Sequence, residues 1–138
     1  MRHLLVAAAS LMLGACAAPL PQPDPRQAWV ELYTPAVNLL MADRLDRKYW
    51  PDGRYFQVSP GAHELEARFQ FEAGRGGIGM DRDSTRITCD IRVRYDDFAA
   101  GQRYRLEADS MGLTVRAWLY DSQRNPLVEG EVTRCGPF

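Results

Sequence analysis

Three short stretches of the sequence contain residue types that could carry chemistry. His63 follows a Pro-Gly pair, and a histidine beside a serine and an aspartate would suit nucleophilic catalysis. The run GRGGIG at 74–79 could cradle a phosphate group in its backbone amides. The run DRDS at 81–84 could begin a calcium-binding loop.

None of the three stretches completes its pattern. His63 lies on the apolar side of an alternating stretch, so a ring bonded to a backbone group is favoured over a catalytic base. The glycine run lacks the lysine and the following helix of a phosphate-binding loop. The acidic run lacks the later ligands of a calcium loop. The sequence therefore predicts no enzyme, no cofactor and no metal site.

The N-terminus has the pattern of an export signal. Residues 1–3 include a positive charge, and residues 4–12 form the apolar run LLVAAASLM. This run is shorter than the roughly 20 residues that a membrane-spanning helix needs. Residues 1–15 are therefore predicted to be a signal peptide that is removed from the mature protein.

The ending LGAC, residues 13–16, resembles the lipobox of bacterial lipoproteins. The resemblance implies that Cys16 receives a diacylglyceryl group and becomes the first mature residue, which acyl chains then hold at a membrane. Ala17 follows the cysteine, and by similarity to enterobacterial sorting rules this favours the outer membrane, facing the periplasm, over the inner membrane. An ordinary secretory signal cut after GACA is the alternative.

The cysteine count agrees with export. If Cys16 carries lipid, Cys89 and Cys135 remain, and periplasmic cysteines tend to pair. Closing a loop of roughly 47 residues would stabilise the fold by about 4 kcal/mol in the chain-entropy model. Two separate buried thiols are the alternative.

Four prolines alternate in AAPLPQPDPRQ, residues 17–27. Proline lacks a backbone donor and has a fixed φ, so this segment cannot join a helix or a central strand. At about 3.1 Å per residue it would form an extended tether of roughly 30 Å. Residues 16–27 are thus predicted to be a lipidated cysteine and a spacer, with a binding motif for another domain as the alternative.

Residues 28–138 are predicted to form one all-β domain. Period-two alternation of apolar and polar residues marks four half-buried strands, 63–72, 86–95, 103–109 and 113–121. Further strands are predicted at 28–33 and about 127–134, and 39–45 is read as a strand with a helix as the alternative. With the turn signals between them, these stretches predict an antiparallel β-sandwich, Ig-like or transthyretin-like, of about seven strands.

Charged residues fill the outward positions of these strands. If 63–72, 86–95 and 103–109 are adjacent, opposite charges can pair across strands, with about 0.2–1 kcal/mol for each pair. On the stretch 113–121, Leu113 is predicted to point inward. A solvated, salt-bridged face is the favoured interpretation, and a ligand-binding face is the alternative, formed by Arg92, Arg105, Trp118 and Tyr120.

The segments YFQVSPGAHELEARF (55–69) and FAAGQRYRLEA (98–108) together resemble the PEGA-like β-sandwich modules of bacterial envelope lipoproteins. The matching positions are Pro60, Gly61, His63, Leu65, Gly101 and Tyr104. Such modules are typically surface-associated and non-enzymatic. In this motif Gly61 supplies the positive φ that a type II turn requires.

Charge and resemblance together define the expected role. The formal net charge is −1 at pH 7 and about −2 without the signal peptide, so no nucleic-acid partner is predicted. We expect a lipid-anchored periplasmic protein with a structural or adaptor role and an envelope protein as partner. A module that binds a glycan such as peptidoglycan is the alternative.

Overall fold

The computed structural model describes residues 18–74 and 84–136 of the chain. Within these residues there is no helix, and the strands form two five-stranded sheets around one core. The prediction of an all-β sandwich is confirmed. The strands are β1 (Ala28–Tyr33), β2 (Leu39–Leu45), β3 (Lys48–Tyr49), β4 (Tyr55–Val58), β5 (Gly61–Gly74), β6 (Ser84–Phe98), β7 (Arg103–Met111), β8 (Thr114–Asp121), β9 (Pro126–Glu129) and β10 (Glu131–Gly136).

Sheet 1 has the strand order β4-β1-β7-β8-β9, and sheet 2 has the order β10-β6-β5-β2-β3. Neighbouring strands run antiparallel, with the exception of β1 and β7, which are parallel. The parallel pair places the ends of β1 and β7 together. We call this end, with loop 34–38 and turn 112–113, the tip, and the opposite end, where β1 and β7 begin, the base.

The core consists of the inward side chains of both sheets. Its largest fully buried residues include Phe56, Phe69, Leu65, Ile91 and Leu106. These are inward positions of alternating strands, which explains why period-two sequence patterns located the core. The two-residue β3 and the four-residue β4 are too short to show that pattern. The strand predicted at about 127–134 is wrong as a single element, because the chain crosses between the sheets at Gly130 and forms β9 and β10. The described residues therefore contain ten strands instead of about seven.

Residues 39–45 form the strand β2, as predicted. A two-residue turn, Asp46 and Arg47, joins β2 to β3, and both residues have positive φ, 50° and 67°. These angles match the twisted turn that closes two-residue hairpins.

The two motifs behind the PEGA-like resemblance are corners at the base. Pro60 and Gly61 carry the chain from β4 in sheet 1 to β5 in sheet 2, and Gly61 has a φ of 110°. Residues 99–102 carry it back from β6 to β7, and Gly101 has a φ of 73°. Both glycines therefore occupy backbone conformations that other residues rarely adopt.

Two further predictions about the strands are wrong. Strand β7 lies in sheet 1, because the corner at 99–102 crosses between the layers, so 103–109 does not join the charged face of β5 and β6. Leu113 does not point inward. Because Gly112 has a φ of 62° and forms a two-residue turn with Leu113, the strand starts at Thr114 and Leu113 is exposed.

Candidate functional site

The corner at the base brings His63 between two acceptors. Its Nδ1 lies 2.6 Å from Oδ2 of Asp46, and its Nε2 lies 2.7 Å from the backbone oxygen of Ser59. The Oγ of Ser59 is 3.0 Å from the same Nε2. A serine, a histidine and an aspartate thus stand at distances that suit a catalytic triad.

The hydrogen-bond pattern argues against catalysis at this corner. A general base must accept a proton on Nε2, but here Nε2 faces a carbonyl oxygen, which can only accept a hydrogen bond. The Ser59 carbonyl thus competes with the Ser59 hydroxyl for Nε2, and the His63 ring links Asp46 to the Ser59 backbone. The arrangement acts as a clamp that ties the β2–β3 turn to the corner after β4.

Asp46 completes this clamp. Its Oδ1 accepts a hydrogen bond from the Glu64 backbone N–H at 2.9 Å. Burial raises the pKa of Asp46, but the hydrogen bonds from Glu64 N–H and from His63 outweigh it, so that the net pKa is lowered. The carboxylate is therefore held in its ionised form at neutral pH.

A disulfide joins Cys89 on β6 to Cys135 on β10, as predicted. The two residues stand directly opposite each other in the antiparallel pair, with their Cα atoms 4.1 Å apart. Cys89 is fully buried, whereas Cys135 lies on the edge strand of sheet 2. The bond fastens this edge strand to the core.

The predicted ligand-face residues do not all come together. Arg105, Trp118 and Tyr120 lie on the outward side of sheet 1, where Arg105 stands opposite Tyr120. Arg92 lies on the other sheet, 3.6 Å from Glu64 and 3.8 Å from Glu66. Arg92 therefore belongs to the salt-bridged face of sheet 2, because β6 and β7 are in different layers.

The outward side of sheet 1 carries more aromatic and arginine residues than the sequence indicated. We call it the aromatic–arginine face, and it comprises Tyr33, Arg103, Arg105, Arg116, Trp118, Tyr120 and Arg124. Tyr33, Arg116, Arg103 and Arg124 lie outside the predicted ligand face. Tyr33 and Arg116 occupy outward positions in the alternating patterns of β1 and β8, so the sequence could have identified them. Arg124 belongs to a turn and reaches the face through its long side chain.

Ion pairs fix two of these arginines over aromatic rings. Arg105 Nε lies 2.6 Å from Glu31 Oε1, and its guanidinium stands 5.3 Å from the centre of the Tyr33 ring. The hydrogen bond to Glu31 raises the pKa of Arg105. Arg124 donates to Glu107 at 2.9 Å and stands 5.8 Å from the Tyr120 ring.

Two depressions mark the same face. One, of about 330 Å³, is lined by Tyr33, Trp118 and Tyr120 together with Asp109 and Arg116. The other, of about 230 Å³, lies toward the base and is lined by residues that include Arg103, Arg105 and Tyr120. Both are shallow and open to solvent, which suits binding of a surface or a flat ring more than enclosure of a small molecule.

Trp50 does not contribute to this face. Its Nε1 donates to the backbone oxygen of Tyr55 at 2.6 Å, and its ring packs edge-on against Tyr55 and near Phe56. These contacts give Trp50 a role in packing the edge of the sandwich.

The proline segment, predicted as a free tether, contacts the domain. Arg54 Nη1 donates to the Ala18 backbone oxygen at 2.6 Å, and the Asp24 N–H donates to Gln57 Oε1 at 3.0 Å. Leu20 lines a cavity of about 480 Å³ with Trp29. Residues 18–27 thus lie along the outward side of β1 and β4 instead of extending into solvent.

The remaining predictions concern metal binding, the N-terminal signal and the two runs between β5 and β6. Among residues 18–74 and 84–136, no cluster of three or more side chains could hold a metal ion, and no helix is long and apolar enough to cross a membrane. The signal peptide with Cys16, and the runs GRGGIG and DRDS except for one residue at the edge of each, lie outside these described residues. The lipobox and PEGA-like resemblances stay predictions.

No family model, no curated protein and no solved structure matches this chain.

Proposed function

We propose that the chain is a lipid-anchored protein of the outer membrane, facing the periplasm, with a non-enzymatic structural or adaptor role. The anchor is the predicted lipid on Cys16. The folded domain binds an envelope protein through the aromatic–arginine face. The single observation that supports this choice is the grouping of exposed tyrosine, tryptophan and arginine on the outward side of one sheet.

The composition of the face favours a protein partner. Tyrosine, tryptophan and arginine dominate the residues that contribute most energy to protein interfaces, because they bury large areas with little loss of rotamer freedom. Tyr33 is 50% exposed although it sits in a strand. Arg105 and Arg124 are already fixed over aromatic rings, so a partner would not have to order them.

Free charge on this face indicates the chemistry of the partner. Arg103 and Arg116 are exposed, and within the described residues neither makes an ion pair shorter than 4.0 Å. A partner that presents carboxylates would therefore meet cations without first breaking an existing pair. Such pairs raise the association rate and the specificity of a complex.

A pull-down from solubilised membranes tests the adaptor role. We expect Trp118→Ala to reduce recovery of the partner at least tenfold, because loss of a central aromatic residue typically costs about 2 kcal/mol or more at an interface. Arg86→Ala is the matched control, because Arg86 is an exposed arginine on the outward side of sheet 2. Equal recovery with the Trp118 variant and the wild type would contradict the proposal.

A second experiment tests the anchor. Cys16→Ala should release the protein from membranes and move it from the detergent phase to the aqueous phase on phase separation. A variant that stays in the membrane fraction would show that the lipoprotein assignment is wrong.

Glycan binding is the second candidate function. It is favoured by the 330 Å³ depression, where Tyr33, Trp118 and Tyr120 offer rings for stacking and Asp109 and Arg116 offer polar groups. Sedimentation of the purified domain with peptidoglycan tests this possibility. Sedimentation that Trp118→Ala abolishes, together with no protein partner in the pull-down, would replace the adaptor role by glycan binding.

A further inference from the structure

Followed backward from Gln27, the docked N-terminal segment runs from the base along the outward side of sheet 1. At the base, the Gly101 N–H donates to the Gln27 backbone oxygen. Farther along, Asp24 is bonded to Gln57, which pairs with Trp29 near the start of β1. The segment therefore leaves the base and runs back along the sheet.

Its far end lies toward the tip. Arg54, which holds Ala18, immediately precedes Tyr55, and Tyr55 pairs with Glu31 in the second half of β1. Leu20 lines the same cavity as Leu32, the last residue but one of β1. The chain thus reverses over β1, and the direction toward residue 16 is the direction of the tip.

The segment is fixed by apolar burial as well as by hydrogen bonds. Trp29 points outward from sheet 1, yet it is only 6% exposed and stacks on Tyr55 with ring centres 4.2 Å apart. Leu20, Pro21 and Pro23 line the cavity above this pair. Because proline loses little conformational freedom on docking, such a segment is well suited to a fixed path.

The tip itself presents unusual apolar exposure. Val37 in loop 34–38 is 87% exposed, Met111 at the end of β7 is 81% exposed, and Leu113 in the adjoining turn is 74% exposed. Pro35, Val37 and Leu113 line one shallow depression of about 310 Å³. Large apolar side chains grouped on the surface of a domain mark a contact site for a protein or a membrane.

We propose that the tip rests on the lipid surface of the membrane that holds the anchor. This inference depends on the proposed lipid at Cys16. Only Ala17 lies between Cys16 and Ala18, so the backbone of the anchored residue can lie no more than about 7 Å from the point where Arg54 holds the chain. The proline segment therefore acts as a strap that turns the tip toward the bilayer, and does not act as a 30 Å spacer.

The chemistry of the tip agrees with shallow contact at the membrane interface. Valine, methionine and leucine side chains enter the boundary between headgroups and acyl chains, and Tyr33 on the same end suits the headgroup level. The aromatic–arginine face then stands beside the membrane, where it remains open to a partner.

Fluorescence quenching in vesicles tests this orientation. The full-length lipidated protein is placed in vesicles of phosphatidylethanolamine and phosphatidylglycerol that contain a doxyl-labelled lipid. Val37→Cys carries an environment-sensitive probe at the tip, and Gln123→Cys carries it in the turn between β8 and β9 at the base. Because Cys89 and Cys135 are paired and the Cys16 thiol of the lipidated protein carries the lipid, each variant has one free thiol. We expect at least threefold stronger quenching of the tip probe than of the base probe.

The outcomes separate the orientation from the anchor. Equal quenching of both probes in a protein shown to carry acyl chains would overturn the orientation alone. A protein without acyl chains would overturn the orientation and the proposed anchor together. A tip probe that is unquenched in vesicles but shielded in native membranes would assign the tip to a protein partner, and would also overturn the proposal.

A further variant tests the strap. Arg54→Ala removes the hydrogen bond to Ala18 and should bring the quenching of the two probes closer together, while the protein stays anchored. Arg26→Ala is its control, because among residues 18–74 and 84–136 the Arg26 side chain bonds Asp24 of the strap itself and no residue of the sheets. If Arg54→Ala leaves the difference between the probes unchanged, the docked segment does not orient the domain.

Discussion

Gly130 sits where the last stretch of chain passes from sheet 1 to sheet 2, between β9 and β10. A Cβ at this position would lie 3.0 Å from Ala117 Cβ, 3.0 Å from Ile91 Cγ2 and 3.3 Å from Val93 Cγ2. Optimal carbon–carbon contacts are about 3.5–4.0 Å long, so Gly130→Ala would force both sheets to move by several tenths of an ångström.

The expected cost follows from three effects. Overpacking a well-filled core costs about 1–3 kcal/mol. The corner cannot relax freely, because the Gly130 N–H donates to the Ala117 backbone oxygen at 2.8 Å. Replacing glycine also stabilises by about 0.4–1 kcal/mol through the unfolded chain, which offsets part of the clash. We therefore expect Gly130→Ala to lower the free energy of unfolding by about 1–2 kcal/mol.

Equilibrium unfolding in urea, with the disulfide intact, measures this change as a lower midpoint at an unchanged slope. Gly74→Ala is the matched control, because a Cβ at Gly74 meets nothing within 4 Å. The double variant with Ala117→Gly removes one clashing atom and should recover part of the loss. A stability of Gly130→Ala equal to that of Gly74→Ala would refute the packing argument.

Two further predictions concern the disulfide and the hydrogen bonds of Asp46, which stabilise the fold. Cys135→Ala should lower the free energy of unfolding by about 4 kcal/mol, from the chain-entropy estimate for the loop closed with Cys89; an unchanged gel mobility of the wild type on reduction would show that the bond is absent. Because the pKa of Asp46 is lowered in the fold, its ionised form stabilises the fold above the unfolded value of about 3.9, and this stability is lost as pH falls through and below that value. Because the Asp46 side chain is 47% exposed, solvent screening limits the effect, and Asp46→Asn should cost about 1 kcal/mol or less at pH 7. The variant should also show a shallower fall in stability between about pH 5 and pH 2, measured by urea unfolding across that range. A parallel pH profile for the variant and the wild type would contradict this.

The sequence predicted those parts of the fold that local periodicity determines. Strand β1 at Ala28–Tyr33 and strand β2 at Leu39–Leu45 have the predicted bounds, because one face of each enters the core. The disulfide was predictable because the lipobox resemblance sets Cys16 aside and leaves two cysteines in an exported chain. The sequence could not predict which of the two sheets contains a given strand. A corner such as 99–102, which crosses between the sheets, and a hairpin turn within one sheet have the same glycine-rich sequence pattern.

The candidate site was predicted only in part, because the sequence does not show which sheet contains each strand. Arg105, Trp118 and Tyr120 have the correct outward parity, but parity does not say which of two sheets a residue faces away from. Arg92 was grouped with them because β6 and β7 are consecutive in sequence. The clamp around His63 was also beyond prediction, because Asp46 is 17 residues away and reaches the ring only through the β2–β3 turn.

The course of the proline segment shows a different limit. Proline spacing correctly indicates an extended chain, but extension is compatible with free solvent or with a docked path. A proline segment docks when the domain offers an apolar surface that nothing else covers. Here the outward side chain of Trp29 forms that surface. A tryptophan at an outward strand position is the sequence feature that could have indicated that another segment covers it.

The two outward faces of the sandwich differ in a way that bears directly on function. On sheet 2, opposite charges stand in register across β5 and β6, with Glu64 opposite Arg94 at 2.7 Å and Glu66 opposite Arg92 at 3.8 Å. Such a ladder satisfies its own charges, so a ligand would have to break existing pairs in order to bind. On sheet 1, ion pairs with Glu31 and Glu107 occupy Arg105 and Arg124. Arg116, in contrast, stands in register with Asp109, and no ion pair within 4.0 Å joins these two residues. Sheet 2 therefore has a largely self-neutralised outward face. On sheet 1, Arg103 and Arg116 have no ion pair within 4.0 Å among the described residues, which supports the proposed partner face.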